Sequence, residues 1–173
     1  MVNLPTFITF SRILIILPFI MVAPSHPFLG CVLFSIAAIT DLLDGYLARK
    51  TGQVTKLGIL LDPIADKLLV ISALIIFVDM ETIPAWIAII IIVREFVVTG
   101  LRIGALSKDM VIPAEKGGKI KTTCQIASII ILFLDRTLIS IDLYAIGLTL
   151  LWLAMILGIV SGIQYFVIFR KRL

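Results

Sequence analysis

Apolar residues fill the chain in six long runs, which short polar connections separate. The runs cover residues 7–23, 28–48, 57–78, 84–105, 119–135 and 143–169. A bilayer core about 30 Å thick requires roughly 20 apolar residues per helix, so each run qualifies as a spanning segment. The pattern therefore predicts an all-α integral membrane protein with six transmembrane helices. Because the runs use nearly the whole chain, residues 1–173 are expected to form a single domain.

The connections between the runs carry residues that interrupt helices. They are Pro24–Pro27, Thr51–Gln53, Asp79–Glu81 and the pair Gly117–Gly118. Proline, glycine and short polar clusters favour turns over continuous helix. We therefore expect helices to begin or end near each of these segments.

Composition excludes several classes of protein. Of the 173 residues, 61% are hydrophobic and 15% are charged, and the mean hydropathy is +1.19. Soluble domains average about 45–50% apolar and about 25% charged residues, so a soluble domain, a disordered chain and a disulfide scaffold are all excluded. Cys31 and Cys124 lie in apolar runs without the spacing of a zinc site or a disulfide framework, and they are expected to be buried thiols.

The positions of the basic residues predict the orientation of the chain. Lys and Arg are enriched in cytoplasmic loops of membrane proteins. Here they lie between runs 2 and 3, between runs 4 and 5, and at the carboxyl end: Arg49, Lys50, Lys56, Lys108, Lys116, Lys119, Lys121, Arg170, Lys171 and Arg172. The opposite side carries Arg136 with Asp79, Glu81 and Asp142. Both termini are therefore expected in the cytoplasm, and the net charge of +4 does not indicate a nucleic-acid partner.

Four aspartates within the second and third runs carry the strongest chemical signal. An Asp at the centre of a membrane helix costs about 2.5–3.5 kcal/mol, and less near the interface, so Asp41, Asp44, Asp62 and Asp66 require compensation. The members of the first pair are three residues apart and those of the second pair are four apart, so each pair shares one face of its helix. A short loop makes the two helices antiparallel neighbours, and their acidic faces are expected to meet near the cytoplasmic surface.

Converging carboxylates repel one another unless cations lie among them. Hard oxygen ligands suit Mg²⁺ or Mn²⁺. Either one ion is held by two or three of the carboxylates, or two ions about 3.5–4 Å apart share two of them. The alternative is that Arg49, Lys56 and Lys67 neutralise the aspartates as ion pairs. That alternative does not explain the small residues Gly45 and Gly58 beside them.

Residues 41–66 read Asp-x2-Asp-Gly-x2-Ala-Arg-x8-Gly-x3-Asp-x3-Asp. This segment resembles the signature of the CDP-alcohol phosphatidyltransferase family at all eight fixed positions. The resemblance implies the CDP-alcohol phosphotransferase fold, with six membrane helices and the signature on helices 2 and 3 at the cytoplasmic side. It also implies a homodimeric, multi-pass enzyme of the inner or plasma membrane that uses CDP-diacylglycerol, a donor that membrane lipids surround.

The family's residue roles transfer to matching positions of this chain. By resemblance, Asp41 and Asp62 bridge two Mg²⁺ or Mn²⁺ ions, Asp44 completes the shell of one ion, and Asp66 completes the other and acts as the general base. The resemblance also implies a set of residues that contact CDP-diacylglycerol: Asn3, Thr6, Gly45, Arg49, Thr55 and Gly58.

The acceptor alcohol depends on residues outside the signature. Arg94 and Arg102 in run 4, followed by Lys119, suit an acceptor that carries a phosphate, since Arg binds phosphate oxygens bidentately. The alternative is that these cations, with Lys116 and Lys121, pair with Glu95 and Glu115 or with anionic lipid head groups. The strings Asn3–Arg12, Arg94–Arg102 and Gly118–Gln125 resemble the bacterial branch of the family that uses glycerol 3-phosphate. That branch assigns the acceptor phosphate to Arg94, Arg102 and Lys119.

Other functions stay open at this point. Within the family, the acceptor could be inositol phosphate, serine or phosphatidylglycerol. A membrane prenyltransferase also uses Asp-rich helices with Mg²⁺, but its carboxylates form two separate motifs with different spacing. A cation-coupled transporter uses intramembrane Asp as part of its pathway, which predicts polar residues across the whole bilayer. In this chain the outer halves of the runs are almost wholly apolar.

Overall fold

The structure is a computed structural model that describes the backbone of residues 14–51, 56–106, 116–137 and 142–171. Within these ranges, the structure does not describe the side chains of residues 41–51, 56–66, 102, 106, 116, 117, 119 and 171.

Helices account for every regular element in these ranges. Residues 14–22 are helical and are called α1. The following helices are α2 Pro27–Thr51, α3 Lys56–Asp79, α4 Ala85–Leu106, α5 Lys116–Asp135 and α6 Tyr144–Lys171. The predicted all-α architecture is confirmed for the described part of the chain, and the helices follow the apolar runs closely.

A helix boundary lies at the pair Gly117–Gly118, as expected. The glycines belong to the first turn of the helix, since α5 begins at Lys116. The carbonyl oxygen of Gly118 accepts a hydrogen bond from Thr122 Oγ1 at 3.0 Å. A Cβ atom at Gly118 would meet nothing within 4 Å. This first turn of α5 therefore accepts a hydrogen bond from the turn that follows. A glycine destabilises the helix by only about 1 kcal/mol relative to alanine.

An aromatic core joins four helices at the end of the bundle away from the signature. Phe77 of α3 and Phe133 of α5 have ring centroids 4.5 Å apart. Phe19 of α1 lies 5.9 Å from Phe133 and 6.0 Å from Phe34 of α2. All four side chains are fully buried. Since a helix rises about 1.5 Å per residue, Phe77 lies about 16 Å along α3 from Asp66. The aromatic packing therefore holds the helices together at a distance from the site.

The connections at the same end of the bundle are tied together by polar contacts. Arg136, after α5, donates from Nε and Nη2 to Thr82 Oγ1 at 3.2 and 3.0 Å. Its Nη2 also donates to the carbonyl oxygen of Met80 at 2.9 Å. Tyr144, at the start of α6, donates its hydroxyl to the carbonyl oxygen of Thr82 at 3.1 Å. The α3–α4 connection is thus fastened to both sides of the α5–α6 connection.

Large apolar side chains lie exposed on the outer faces of the helices. On α4 these include Ile89, Val93, Phe96 and Val97, and α6 exposes a similar series. Soluble monomers rarely expose extended apolar patches, whereas lipid tails suit them. Among the described residues, Tyr144–Arg170 is the helix long and apolar enough to span a bilayer, with a hydropathy of 2.3 over its most apolar window. The count of six spans stays a prediction.

Candidate functional site

The four signature aspartates lie on two uninterrupted helices. Asp41 and Asp44 are within α2, and Asp62 and Asp66 are within α3. The spacings of three and four residues are therefore one-turn spacings on helices that contact each other. Their side chains lie outside the described residues, so their convergence on metal ions stays a prediction. The described side chains contain no group of three or more His, Cys, Asp or Glu that could hold a metal ion.

Apart from Arg94, the other predicted site residues fall into three groups. Gly45 and Arg49 lie within α2, and Gly58 lies within α3. Arg102 is part of α4, and Lys119 is part of α5. These five positions have a described backbone, but their side chains are outside the description. The remaining three, Asn3, Thr6 and Thr55, lie outside the described residues altogether.

Beyond Asp66, a cluster of charged side chains lies between α3, α4 and α5. Glu95 is its centre: its Oε1 accepts hydrogen bonds from Lys121 Nζ and from Arg94 Nη1 at 3.1 Å. The side chains of Lys121, Arg94 and Glu95 are exposed by only 6%, 13% and 15%. Lys67, which follows Asp66 on α3, is near enough to act electrostatically on Glu95. Burial is tolerated here because the charges compensate one another.

Arg94 is fixed to α6 as well as to Glu95. Its Nε donates to the carbonyl oxygen of Gly158 at 2.7 Å, and its Nη2 donates to Ser161 Oγ at 2.5 Å. Arg94 packs against the glycines of α6, since a Cβ atom at Gly158 or Gly162 would lie in ordinary contact, 3.5 to 3.6 Å from the nearest atom of Arg94. Pairing of Arg94 with Glu95, one of the two readings that the sequence left open, is therefore present. The role of Arg94 toward the acceptor stays a prediction.

A cavity of about 40 Å³ lies between α3, α4 and α5. One end is charged, since it is lined by Lys67, Glu95 and Lys121. The other end, one to two turns further from Asp66 along α3, is lined by apolar residues such as Leu74, and by Gln125. The volume exceeds the roughly 10–15 Å³ that a water molecule requires. The cavity therefore has room for small polar groups beside the predicted metal site.

Gln125 is the polar residue of this deeper end, and sequence reasoning assigned it no role. Its residue exposure is 3%, and among the residues that the structure describes its Nε2 atom has no hydrogen-bond partner. A buried donor left unpaired costs about 1–3 kcal/mol. The sequence does contain a signal for this residue, because an amide within an apolar run of a membrane helix requires a hydrogen-bonding partner.

The charges around the cavity favour an anionic ligand. Among the described side chains that line its charged end, two cations face one carboxylate, and Arg94 adds a third cation behind Glu95. Cations in a protein interior interact with an anion more strongly than they do in water. The arrangement is suited to hold a small molecule with a phosphate or similar group next to Asp66.

Comparison with known proteins identifies the family. The sequence profile of the CDP-alcohol phosphatidyltransferase family matches residues 2–160. A CDP-diacylglycerol–glycerol-3-phosphate 3-phosphatidyltransferase of Bacillus subtilis (strain 168) is 42% identical over 183 residues, covering 96% of this chain and 94% of the relative.

Two more relatives carry the same name. The protein from Rickettsia bellii is 40% identical, covering 98% of this chain and 96% of its own length. The protein from Haemophilus influenzae is also 40% identical, with coverage of 94% and 91%. A profile match over most of the chain and these nearly full-length relatives lead to one conclusion: the chain belongs to the CDP-alcohol phosphatidyltransferase family.

Proposed function

We propose that this protein transfers the phosphatidyl group of CDP-diacylglycerol to glycerol 3-phosphate, which gives phosphatidylglycerophosphate and CMP. The observation that carries this proposal is the nearly full-length identity of 40–42% to relatives named for that reaction. The cavity, whose described lining includes Lys67 and Lys121, supports an acceptor that itself carries a phosphate.

In the proposed arrangement, six helices cross the cell membrane and both termini lie in the cytoplasm. The exposed apolar faces of α4 and α6 and the distribution of Lys and Arg support it. The signature ends of α2 and α3 then lie at the cytoplasmic surface. There the acyl chains of the donor remain in lipid while its nucleotide is in water. The proposed assembly is a homodimer.

The donor set of the signature fits hard divalent ions. It offers four carboxylates at one-turn spacing on two contacting helices, and oxygen ligands of this kind suit Mg²⁺ or Mn²⁺. We propose that Asp41, Asp44, Asp62 and Asp66 would hold two such ions, with Asp41 and Asp62 contributing to both and Asp44 and Asp66 to one each. When bound, the ions neutralise charge on the pyrophosphate that is attacked and on the CMP that leaves.

The protein's own residues position the reactants and move one proton. In the proposed mechanism, the carboxylate of Asp66 accepts the proton of the acceptor hydroxyl. The hydroxyl oxygen attacks the phosphorus next to diacylglycerol, and the bond from that phosphorus to the oxygen of CMP breaks. The proposed donor contacts are Asn3, Thr6, Gly45, Arg49, Thr55 and Gly58. The proposed contacts of the acceptor phosphate are Arg94, Arg102 and Lys119.

Release of CMP by the detergent-purified protein tests the proposal. The protein is given CDP-diacylglycerol, Mg²⁺ and one alcohol at a time: glycerol 3-phosphate, inositol phosphate, serine or phosphatidylglycerol. We expect release that requires glycerol 3-phosphate and stops when EDTA removes the metal. Release with another alcohol alone would contradict the acceptor assignment but retain the family chemistry. Release that persists in EDTA would contradict the metal assignment.

A further inference from the structure

Gln125 and the cavity between α3, α4 and α5 point to a residue that selects the acceptor. Gln125 lines the deeper end of this cavity. The residue is 97% buried, since its exposure is 3%, and within the described ranges its Nε2 atom finds no protein acceptor. A neighbouring buried polar group on α5 is satisfied, because Ser128 Oγ donates to the carbonyl oxygen of Gly147 at 2.7 Å. The unpaired amide is therefore a local feature of the cavity and not a general property of α5.

The two ends of the cavity offer different chemistry. Lys67, Glu95 and Lys121 surround the end near Asp66, which suits a charged group. The deeper end is lined by apolar side chains and by the neutral amide side chain of Gln125, which suits an uncharged oxygen such as a hydroxyl. With about 40 Å³ of free volume, the cavity accommodates part of a small alcohol, and an alcohol whose phosphate lies near the cations can extend a hydroxyl toward Gln125.

We infer that Gln125 Nε2 donates a hydrogen bond to the hydroxyl of the acceptor alcohol that does not react, which makes Gln125 a specificity-determining residue. This inference rests on the proposed function, since it requires a phosphorylated alcohol with a second hydroxyl as the acceptor. A site that pairs a buried donor with a substrate hydroxyl rejects the analogue that lacks the hydroxyl, because the donor is then left unpaired.

The test compares two acceptors in the same enzyme preparation. One is glycerol 3-phosphate, and the other is 3-hydroxypropyl phosphate, which lacks the middle hydroxyl. The readout is the ratio of kcat/KM for the two acceptors, measured by CMP release. Because both values come from one preparation, the ratio does not depend on the fraction of folded protein.

The wild-type protein is expected to prefer glycerol 3-phosphate by at least about tenfold. Gln125→Met keeps the length of the side chain without the donor, and it should reduce the ratio to about one by lowering kcat/KM for glycerol 3-phosphate. Gln125→Glu, which replaces the donor by an acceptor, is the second variant and should lose the same preference. Ser128→Ala removes a buried polar group one turn further along α5 and should retain the wild-type ratio.

Three outcomes overturn the inference. They are a wild-type enzyme that uses both acceptors equally, a Gln125→Met variant that retains the preference, and a Ser128→Ala variant that loses it to the same degree. Retention of the preference in Gln125→Met would mean that the amide pairs with an ordered water molecule. Failure of the proposed function is distinguishable, because the wild-type protein would then release no CMP with glycerol 3-phosphate.

Discussion

Lys121 of α5 donates a hydrogen bond to Glu95 of α4, and both side chains are enclosed between helices. Glu95 also accepts a hydrogen bond from Arg94. Arg94 in turn donates hydrogen bonds to the Gly158 carbonyl and the Ser161 hydroxyl of α6. Glu95 therefore connects α4 to α5, and Arg94 connects α4 to α6. Such a pair is sensitive to loss of one partner, because the other charge is left buried and uncompensated.

Glu95→Gln should lower the free energy of unfolding by about 3 kcal/mol, because it removes the countercharge of Lys121 and keeps the shape of the side chain. Thermal unfolding of the detergent-solubilised protein measures the change. Lys121→Met in the Glu95→Gln background removes the uncompensated cation and should recover part of the loss. If the double variant were as unstable as the sum of the two single variants, the two residues would not be energetically coupled.

Gly30→Ala should destabilise the fold by about 1–3 kcal/mol, because overpacking forces the neighbouring chain to shift. A Cβ atom at Gly30 would lie 2.6 Å from Ala23 Cβ and 3.0 Å from Ala23 Cα. Gly100 is the matched control, since a Cβ atom there would meet nothing within 4 Å. Gly100→Ala should stabilise α4 by about 0.5–1 kcal/mol. Equal melting temperatures for the two variants would contradict the close approach at Gly30.

Asp66→Asn should abolish turnover, with a loss of kcat of at least about 100-fold, because the amide cannot accept the proton of the acceptor hydroxyl. Steady-state CMP release measures the change, and circular dichroism together with thermal unfolding checks that the variant is folded. Asp135→Asn is a control at the opposite end of the bundle, where Asp135 Oδ1 accepts a hydrogen bond from the Leu143 amide at 3.0 Å. Wild-type turnover by Asp66→Asn would exclude Asp66 as the base.

Arg102→Ala should raise the KM for glycerol 3-phosphate by about tenfold or more and leave the KM for CDP-diacylglycerol within about twofold. A charge-assisted hydrogen bond to a phosphate group is worth about 1.5–3 kcal/mol, and the acceptor carries that group. Arg136→Ala serves as the control, since Arg136 contacts Thr82 and the Met80 carbonyl at the far end of the bundle. Equal increases of both KM values in Arg102→Ala would indicate a general disturbance of the site.

Apolar run length predicted the helices well, because the cost of an unpaired backbone in lipid restricts each run to helix. The predicted run 84–105 corresponds to Ala85–Leu106. The boundary predicted near Gly117–Gly118 is also confirmed, since α5 begins at Lys116.

The partners of charged residues were harder to predict than their positions. The sequence allowed Arg94 to bind a phosphate or to pair with Glu95, and its contact with Glu95 is joined by bonds to Gly158 and Ser161, 64 and 67 residues away. Trp86 of α4 and Trp152 of α6 show the same limit, since their rings lie 5.1 Å apart in an edge-to-face pair. Such contacts depend on how helices far apart in sequence approach each other.

The polar ties around Thr82 have a mechanical consequence for the opposite end of the bundle. Arg136 and Tyr144 bind the hydroxyl and the carbonyl of this one residue, so the α3–α4 and α5–α6 hairpins share a fixed point. Rotation of one hairpin against the other about that point displaces atoms in proportion to their distance from it. The displacement is therefore larger at Lys67, Glu95 and Lys121 than beside Thr82, and the hydrogen bond from Lys121 to Glu95 restrains it there.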